Sequence, residues 1–96
     1  MYATVRRYEG GTDPKETGRR VNEGFVPIIS QIPGFVALYL VDAGDGVMIS
    51  TSVFQDQAGA EESNRKAADY VRQNLTQLLP KPPKITAGEV VAYKEK

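Results

Sequence analysis

An unbroken apolar run, Phe35-Val36-Ala37-Leu38-Tyr39-Leu40-Val41, lies between Pro33-Gly34 and Asp42-Ala43-Gly44-Asp45-Gly46. It is too short for a typical helix, its flanks are turn residues, and it is rich in β-branched and aromatic side chains, so it reads as a strand. Successive strand residues point to opposite faces. Phe35, Ala37, Tyr39 and Val41 are therefore expected on one side, with Val36, Leu38 and Leu40 on the other. Neither set is polar, so both faces are expected to be dry. Asp45-Gly46 supplies the positive backbone angles of a tight hairpin turn. The next strand, Val47–Phe54, divides into Val47, Ile49, Thr51 and Val53 against Met48, Ser50, Ser52 and Phe54.

The same alternation, more loosely, marks a first strand over Tyr2–Tyr8, with Tyr2, Thr4, Arg6 and Tyr8 sharing a face. A last strand is predicted over Ile85–Tyr93. Helical spacing takes over between the strands. Asp13-Pro14-Lys15-Glu16 is a helix start: Asp13 can cap free amides, Pro14 fits the first helical position, and Glu16 can reach back. Val21, Phe25, Ile28, Ile29 and Ile32 then form one apolar stripe. Pro27 lacks the amide that would bond the Glu23 carbonyl, which predicts a kink. Gly18 and Gly24 each weaken this helix by about 1 kcal/mol relative to Ala. A second helix is capped by Asp56; Ala60, Asn64, Ala67, Val71, Leu75 and Leu78 trace its inner stripe, with Tyr70 at its edge. Pro80-Lys81-Pro82-Pro83 ends it.

Strand, helix, strand, strand, helix, strand with right-handed crossovers gives an α+β fold, the ferredoxin-like βαββαβ plait. The expected sheet is antiparallel, four-stranded, in the order 4-1-3-2, with two helices on one face and residues 1–96 in a single domain. Two helices cover one face only. The other face is apolar and is expected to pair with a second copy, sheet against sheet, closing an α/β barrel. Such a homodimer interface through the open face should bury at least ~800 Å² per partner.

Composition narrows the chemistry. The 96 residues carry 12 Lys+Arg and 12 Asp+Glu, and neither Cys nor His. Zero net charge gives no electrostatic reason to expect nucleic acid or an acidic membrane as partner. Without Cys and His there are no disulfides, thiol nucleophiles, Cys/His zinc sites or histidine bases. No apolar stretch approaches the ~18–20 residues of a membrane span, and the N-terminus has no apolar signal core, so a cytoplasmic location is expected. Glu9-Gly10-Gly11-Thr12 lacks the Gly-Lys-Ser/Thr of a phosphate loop. Asp42 and Asp45 lack the remaining ligands of a calcium loop, so no metal is expected. Ser50 and Ser52 sit among apolar residues, in neither a nucleophile elbow nor a Ser-x-x-Lys motif; they bond locally or line a cavity.

The helix-ending Ile32-Pro33-Gly34-Phe35, the following Val36-Ala37-Leu38-Tyr39, the serine-bearing third strand and Phe54-Gln55-Asp56-Gln57-Ala58-Gly59-Ala60-Glu61-Glu62-Ser63 resemble the dimeric α/β-barrel superfamily. The resemblance is to its antibiotic biosynthesis monooxygenase-like branch, and it covers nearly the whole chain. It implies two activities. Haem-degrading members use an Asn on strand one with a Trp and a His; this chain has none of these. Cofactor-free members oxidise polycyclic phenols in an apolar cleft between sheet and helices, using Asn, Trp, Tyr and Arg. The Trp is absent, but Asn64, Tyr70 and Arg6 are the counterparts expected to carry chemistry. Tyr8, Tyr39, Ser50, Ser52 and Phe25 are the expected substrate-lining residues, with no cofactor.

Two readings follow. One is a cofactor-independent monooxygenase-like enzyme acting on an aromatic or phenolic substrate with O₂. The other is a non-catalytic dimeric domain that binds a small apolar ligand or serves as a structural module. Cavity size separates them: roughly 300 Å³ or more favours the enzyme, a filled core the module. An RNA-binding plait would need stacking aromatics on strand three, which Val47-Met48-Ile49-Ser50-Thr51-Ser52 lacks.

Overall fold

The computed structural model describes all residues from Met1 to Lys96. The strands are β1 (Tyr2–Tyr8), β2 (Phe35–Gly44), β3 (Val47–Phe54) and β4 (Lys84–Glu89). They form one antiparallel sheet in the order β2-β3-β1-β4, the expected order read from the other edge. The helical segments are α1 (Pro14–Arg20), a π-helical turn (Val21–Phe25), α2 (Val26–Ile29) and α3 (Gln57–Asn74). They lie on one face of the sheet, α3 packing over β1 and β3.

Caps and turns form where the sequence places them. The Asp13 carboxylate accepts from the Glu16 amide at 3.1 Å, and Asp56 accepts from the Gly59 amide at 3.0 Å. Each satisfies an amide that the first helical turn leaves free. Asp45 and Gly46 have φ of 53° and 78°, as the two-residue hairpin requires.

Four expectations need correction. The register slips between Phe35 and Ala37, so Phe35 pairs with Phe54 and lies on the helix side with Leu38 and Leu40, not with Ala37, Tyr39 and Val41. The extra residue of a β-bulge inverts the alternation beyond it. Helix one does not simply bend at Pro27. Its preceding turn widens, with the Val26 amide bonding the Val21 carbonyl five residues back. A wider turn relieves the clash of the Pro27 ring with the Glu23 carbonyl. The second helix ends at Asn74, before Pro80; Leu75 leaves helical geometry at φ −126°, and Leu75 and Leu79 are buried by the turns that follow. Finally β4 stops at Glu89, and Val91 and Tyr93 are exposed beyond it.

On the helix side, the core has two apolar clusters. Phe25, Ile29, Ile32, Phe54, Ala60 and Ala67 make one, and Tyr8, Met48, Leu75 and Leu79 make the other. Between them the sheet is polar: Thr4 stands opposite Ser52, and Arg6 opposite Ser50. On the other face Tyr39 and Val41 are exposed, beside partly exposed Val5, Ile49 and Val53.

Candidate functional site

Arg6 is the largest fully buried side chain, at 1% exposure. Alternation puts it on the helix side of β1, and strand register puts Ser50 directly opposite and Ser52 two pairs along, on the same face. Its Nη2 donates to Ser50 Oγ at 2.9 Å and Ser52 Oγ at 2.7 Å. From α3, Asn64 Oδ1 accepts from Nη1 at 2.8 Å and Ser63 Oγ at 3.4 Å. Asn64 Oδ1 also accepts from Thr4 Oγ1 at 3.1 Å. All these acceptors are neutral, and Arg6 takes part in none of the ion pairs, which lie on the helix surfaces. Nε is buried without a partner.

A buried guanidinium without a carboxylate is costly, because desolvation of the charge is not offset by an opposite one. Burial accordingly lowers the Arg6 pKa below its ordinary value, and neighbouring Tyr8 partly restores it. Burial pushes the Tyr8 phenol up from 10.0, against the pull of the Arg6 charge. The Arg6 charge favours the ionised phenol, yet no hydrogen bond of good geometry joins the two.

Against this pair lies a cavity of about 30 Å³, walled by Thr17, Val21, Phe25, Leu40, Ala67, Tyr70 and Leu75 among others. A groove of about 190 Å³ runs outside it between α1, the π turn and β2. Val21 and Leu40 line both, and form the partition between them. The Tyr70 hydroxyl donates to the Arg20 carbonyl at 2.8 Å, and its ring lies 5.5 Å from that of Phe25. Tyr70 thus ties α3 to the irregular stretch of helix one.

Of the residues expected at a site, Arg6, Tyr8, Ser50, Phe25 and Tyr70 meet at the cavity. Asn64 and Ser52 do not line it; they hold Arg6 from either side. Tyr39 lies on the opposite face, 64% exposed, and is not part of this cluster. Ser63 and Thr4 complete the cluster and were not anticipated. Ser63 lies three residues after Ala60 and four before Ala67, so helical spacing alone places it on the buried stripe. No group of three or more acidic side chains is placed to hold a metal ion, and no helix is long and apolar enough to cross a membrane.

Comparison with family models and with curated protein sequences finds no match. Solved structures do match. A Nitrosomonas europaea protein of unknown function superposes with a TM-score of 0.76 at 23% identity, over 99% of this chain and 93% of that one. A Streptomyces coelicolor monooxygenase, solved in complex with nanaomycin D, gives 0.72 at 16% identity, over 99% and 91%. A structure described as an antibiotic biosynthesis monooxygenase gives 0.69 at 14%, over 96% and 100%. The chain shares the fold of these structures. At these identities the likeness extends to the fold and not to the reaction.

Proposed function

We propose that this chain is a small-molecule enzyme of the cofactor-independent monooxygenase type, acting on a phenolic aromatic with O₂. The observation that carries the reading is Arg6: a buried cation with no acid partner, at the head of an apolar cavity, beside two tyrosines. The net change is phenol plus O₂ to quinone plus water. The phenolate gives electrons to O₂, the oxygenated ring carbon loses its proton, and water leaves. Arg6 would hold the substrate oxygen as negative charge builds there, worth more in a dry site than in water. Asn64, Ser50 and Ser52 fix its orientation. Tyr8 would supply a hydroxyl beside Arg6, and Tyr70 an aromatic wall, its own hydroxyl being held by the Arg20 carbonyl.

A second reading, the non-catalytic apolar-ligand module, is favoured by the cavity's size. About 30 Å³ is far below the few hundred Å³ of a small-molecule pocket. The enzyme reading therefore requires the Val21–Leu40 partition to open, joining cavity and groove. We further propose that two copies pair through the open face carrying Tyr39 and Val41, since neither is covered in the single chain.

Oxygen uptake with a panel of dihydroxy-aromatics, wild type beside Asn64→Ala, tests the reading. Uptake by wild type, reduced at least tenfold in the variant, is expected. No uptake by either, together with saturable binding of an aromatic probe, selects the module. Sedimentation at micromolar concentration tests the pairing, and a 10.5 kDa species alone would refute it.

A further inference from the structure

A guanidinium presents five N–H donors and one fixed positive charge. In Arg6, four of the five are placed on Ser50, Ser52, Ser63 and Asn64. The fifth, on Nε, is buried and unused, on a side chain that lines the cavity. The charge itself is unanswered. No acid pairs with Arg6, and a phenol whose pKa burial has raised stays neutral at physiological pH. A void of about 30 Å³ has room for one or two water-sized species. The cost of the buried cation falls if one of those species carries negative charge.

We infer that the cavity takes up one small monovalent anion, of chloride or formate size, as the counter-ion of Arg6, with Nε–H as its donor. The wall opposite is apolar: Val21, Phe25, Leu40, Ala67 and Leu75 offer no competing acceptor. Such walls strengthen attraction between charges inside them. Sulfate, phosphate and larger organic anions exceed the space. Exchange with solvent passes the Val21–Leu40 partition. The inference is independent of the oxygenase reading: the anion binds without substrate or O₂, and its absence would leave a neutral phenol free to use the same donors.

The experiment is thermal unfolding of the full chain in sodium chloride or sodium formate, up to about 0.2 M, with ionic strength held constant by sodium gluconate. A ligand that binds only the folded state raises stability logarithmically above its Kd. The wild-type midpoint should rise by about 6–11 °C for each tenfold increase beyond Kd in chloride or formate, and stay fixed in gluconate. Arg6→Met should lose the response. Asn64→Asp decides the matter should Arg6→Met fail to fold. Asn64 Oδ1 already accepts from Nη1, so an isosteric aspartate supplies the counter-ion internally. It should cut the response at least threefold. Chloride NMR line width gives a second readout, broadened by wild type, restored by excess formate and unaffected by Asn64→Asp. Coincident wild-type midpoints in all three salts would overturn the inference. So would an Asn64→Asp response equal to the wild type's, which would place the anion elsewhere.

Discussion

Gly18 and Gly24 lie in one helical stretch and by propensity alone should behave alike, yet replacing them with alanine should have opposite effects. A Cβ on Gly18 would meet nothing within 4 Å. Gly18→Ala therefore gains the helix-propensity difference, about 1 kcal/mol. A Cβ on Gly24 would lie 2.3 Å from Tyr70 Oη and 2.9 Å from its Cε1 and Cζ. The phenol must move. It then gives up its bond to the Arg20 carbonyl, about 1 kcal/mol, and its contact with Phe25, about 0.5–1.5 kcal/mol. These losses exceed the propensity gain, so Gly24→Ala should destabilise by about 1 kcal/mol. The two variants should differ by about 2 kcal/mol, on the order of 8–16 °C in Tm for a domain this small. Circular-dichroism melting of wild type and both variants is the assay. In a Tyr70→Phe background the closest atom is gone, and the cost of Gly24→Ala should shrink, a coupling the double-mutant cycle reads directly. If Gly24→Ala raises Tm as much as Gly18→Ala does, the Tyr70 tie to helix one is not as described.

Ser52→Ala removes the shortest acceptor of Arg6, 2.7 Å from Nη2 and fully buried, and should cost about 1.5–3 kcal/mol in urea unfolding with an unchanged m-value. A loss below about 0.5 kcal/mol would mean the guanidinium re-pairs freely. Val21→Ala thins the wall between cavity and groove; it should cost about 1–2 kcal/mol of stability yet tighten 1-naphthol binding several-fold, read by fluorescence titration. Weaker naphthol binding would remove the groove as the route inward. Glu16 is held down to about 2 by hydrogen bonds from Arg19 and Arg20. Its folded pKa lies below its ordinary 4.5, so the stability it contributes is present above pH 4.5 and lost as pH falls through about 2. The stability gap between wild type and Glu16→Gln should close over that window, and salt should narrow it, because the pair is exposed.

Both helix caps and the hairpin turn were legible in the sequence because each rests on a local rule, an Asp before a helix or Asp-Gly between strands; the sheet order followed from the element order and right-handed crossovers. What escaped depends on single-residue insertions. The bulge after Phe35 and the π turn before Pro27 each add one residue to a regular element, and neither leaves a periodicity signal that apolar counting detects. The end of β4 was missed for another reason. Val91 and Tyr93 continue the alternation, but nothing within the single chain covers them. At the site, β1 alternation correctly grouped Arg6 with Thr4 and Tyr8, and β3 alternation grouped Ser50 with Ser52. That the two sets face each other is a matter of strand register, which no one strand encodes. Tyr39 followed the same parity rule to the opposite face.

Stability does not explain Arg6. Apolar residues of similar volume in place of a buried charge and its acceptors are often neutral or stabilising. They would also join two apolar clusters that the polar strip now separates, and a chain of 96 residues has little core to divide. The strip is nonetheless built to hold the guanidinium still: two serines from β3 below, Ser63 and Asn64 from α3 above, and Thr4 steadying Asn64. Four donors are fixed and the fifth is left without a partner, on a side chain that lines the cavity shared with Tyr8, Tyr70 and the π turn. Irregular helical turns cost regular hydrogen bonding and are frequent at functional sites. A fixed cation with an unused donor, on a side chain lining an apolar cavity, is what a small negatively charged ligand would need.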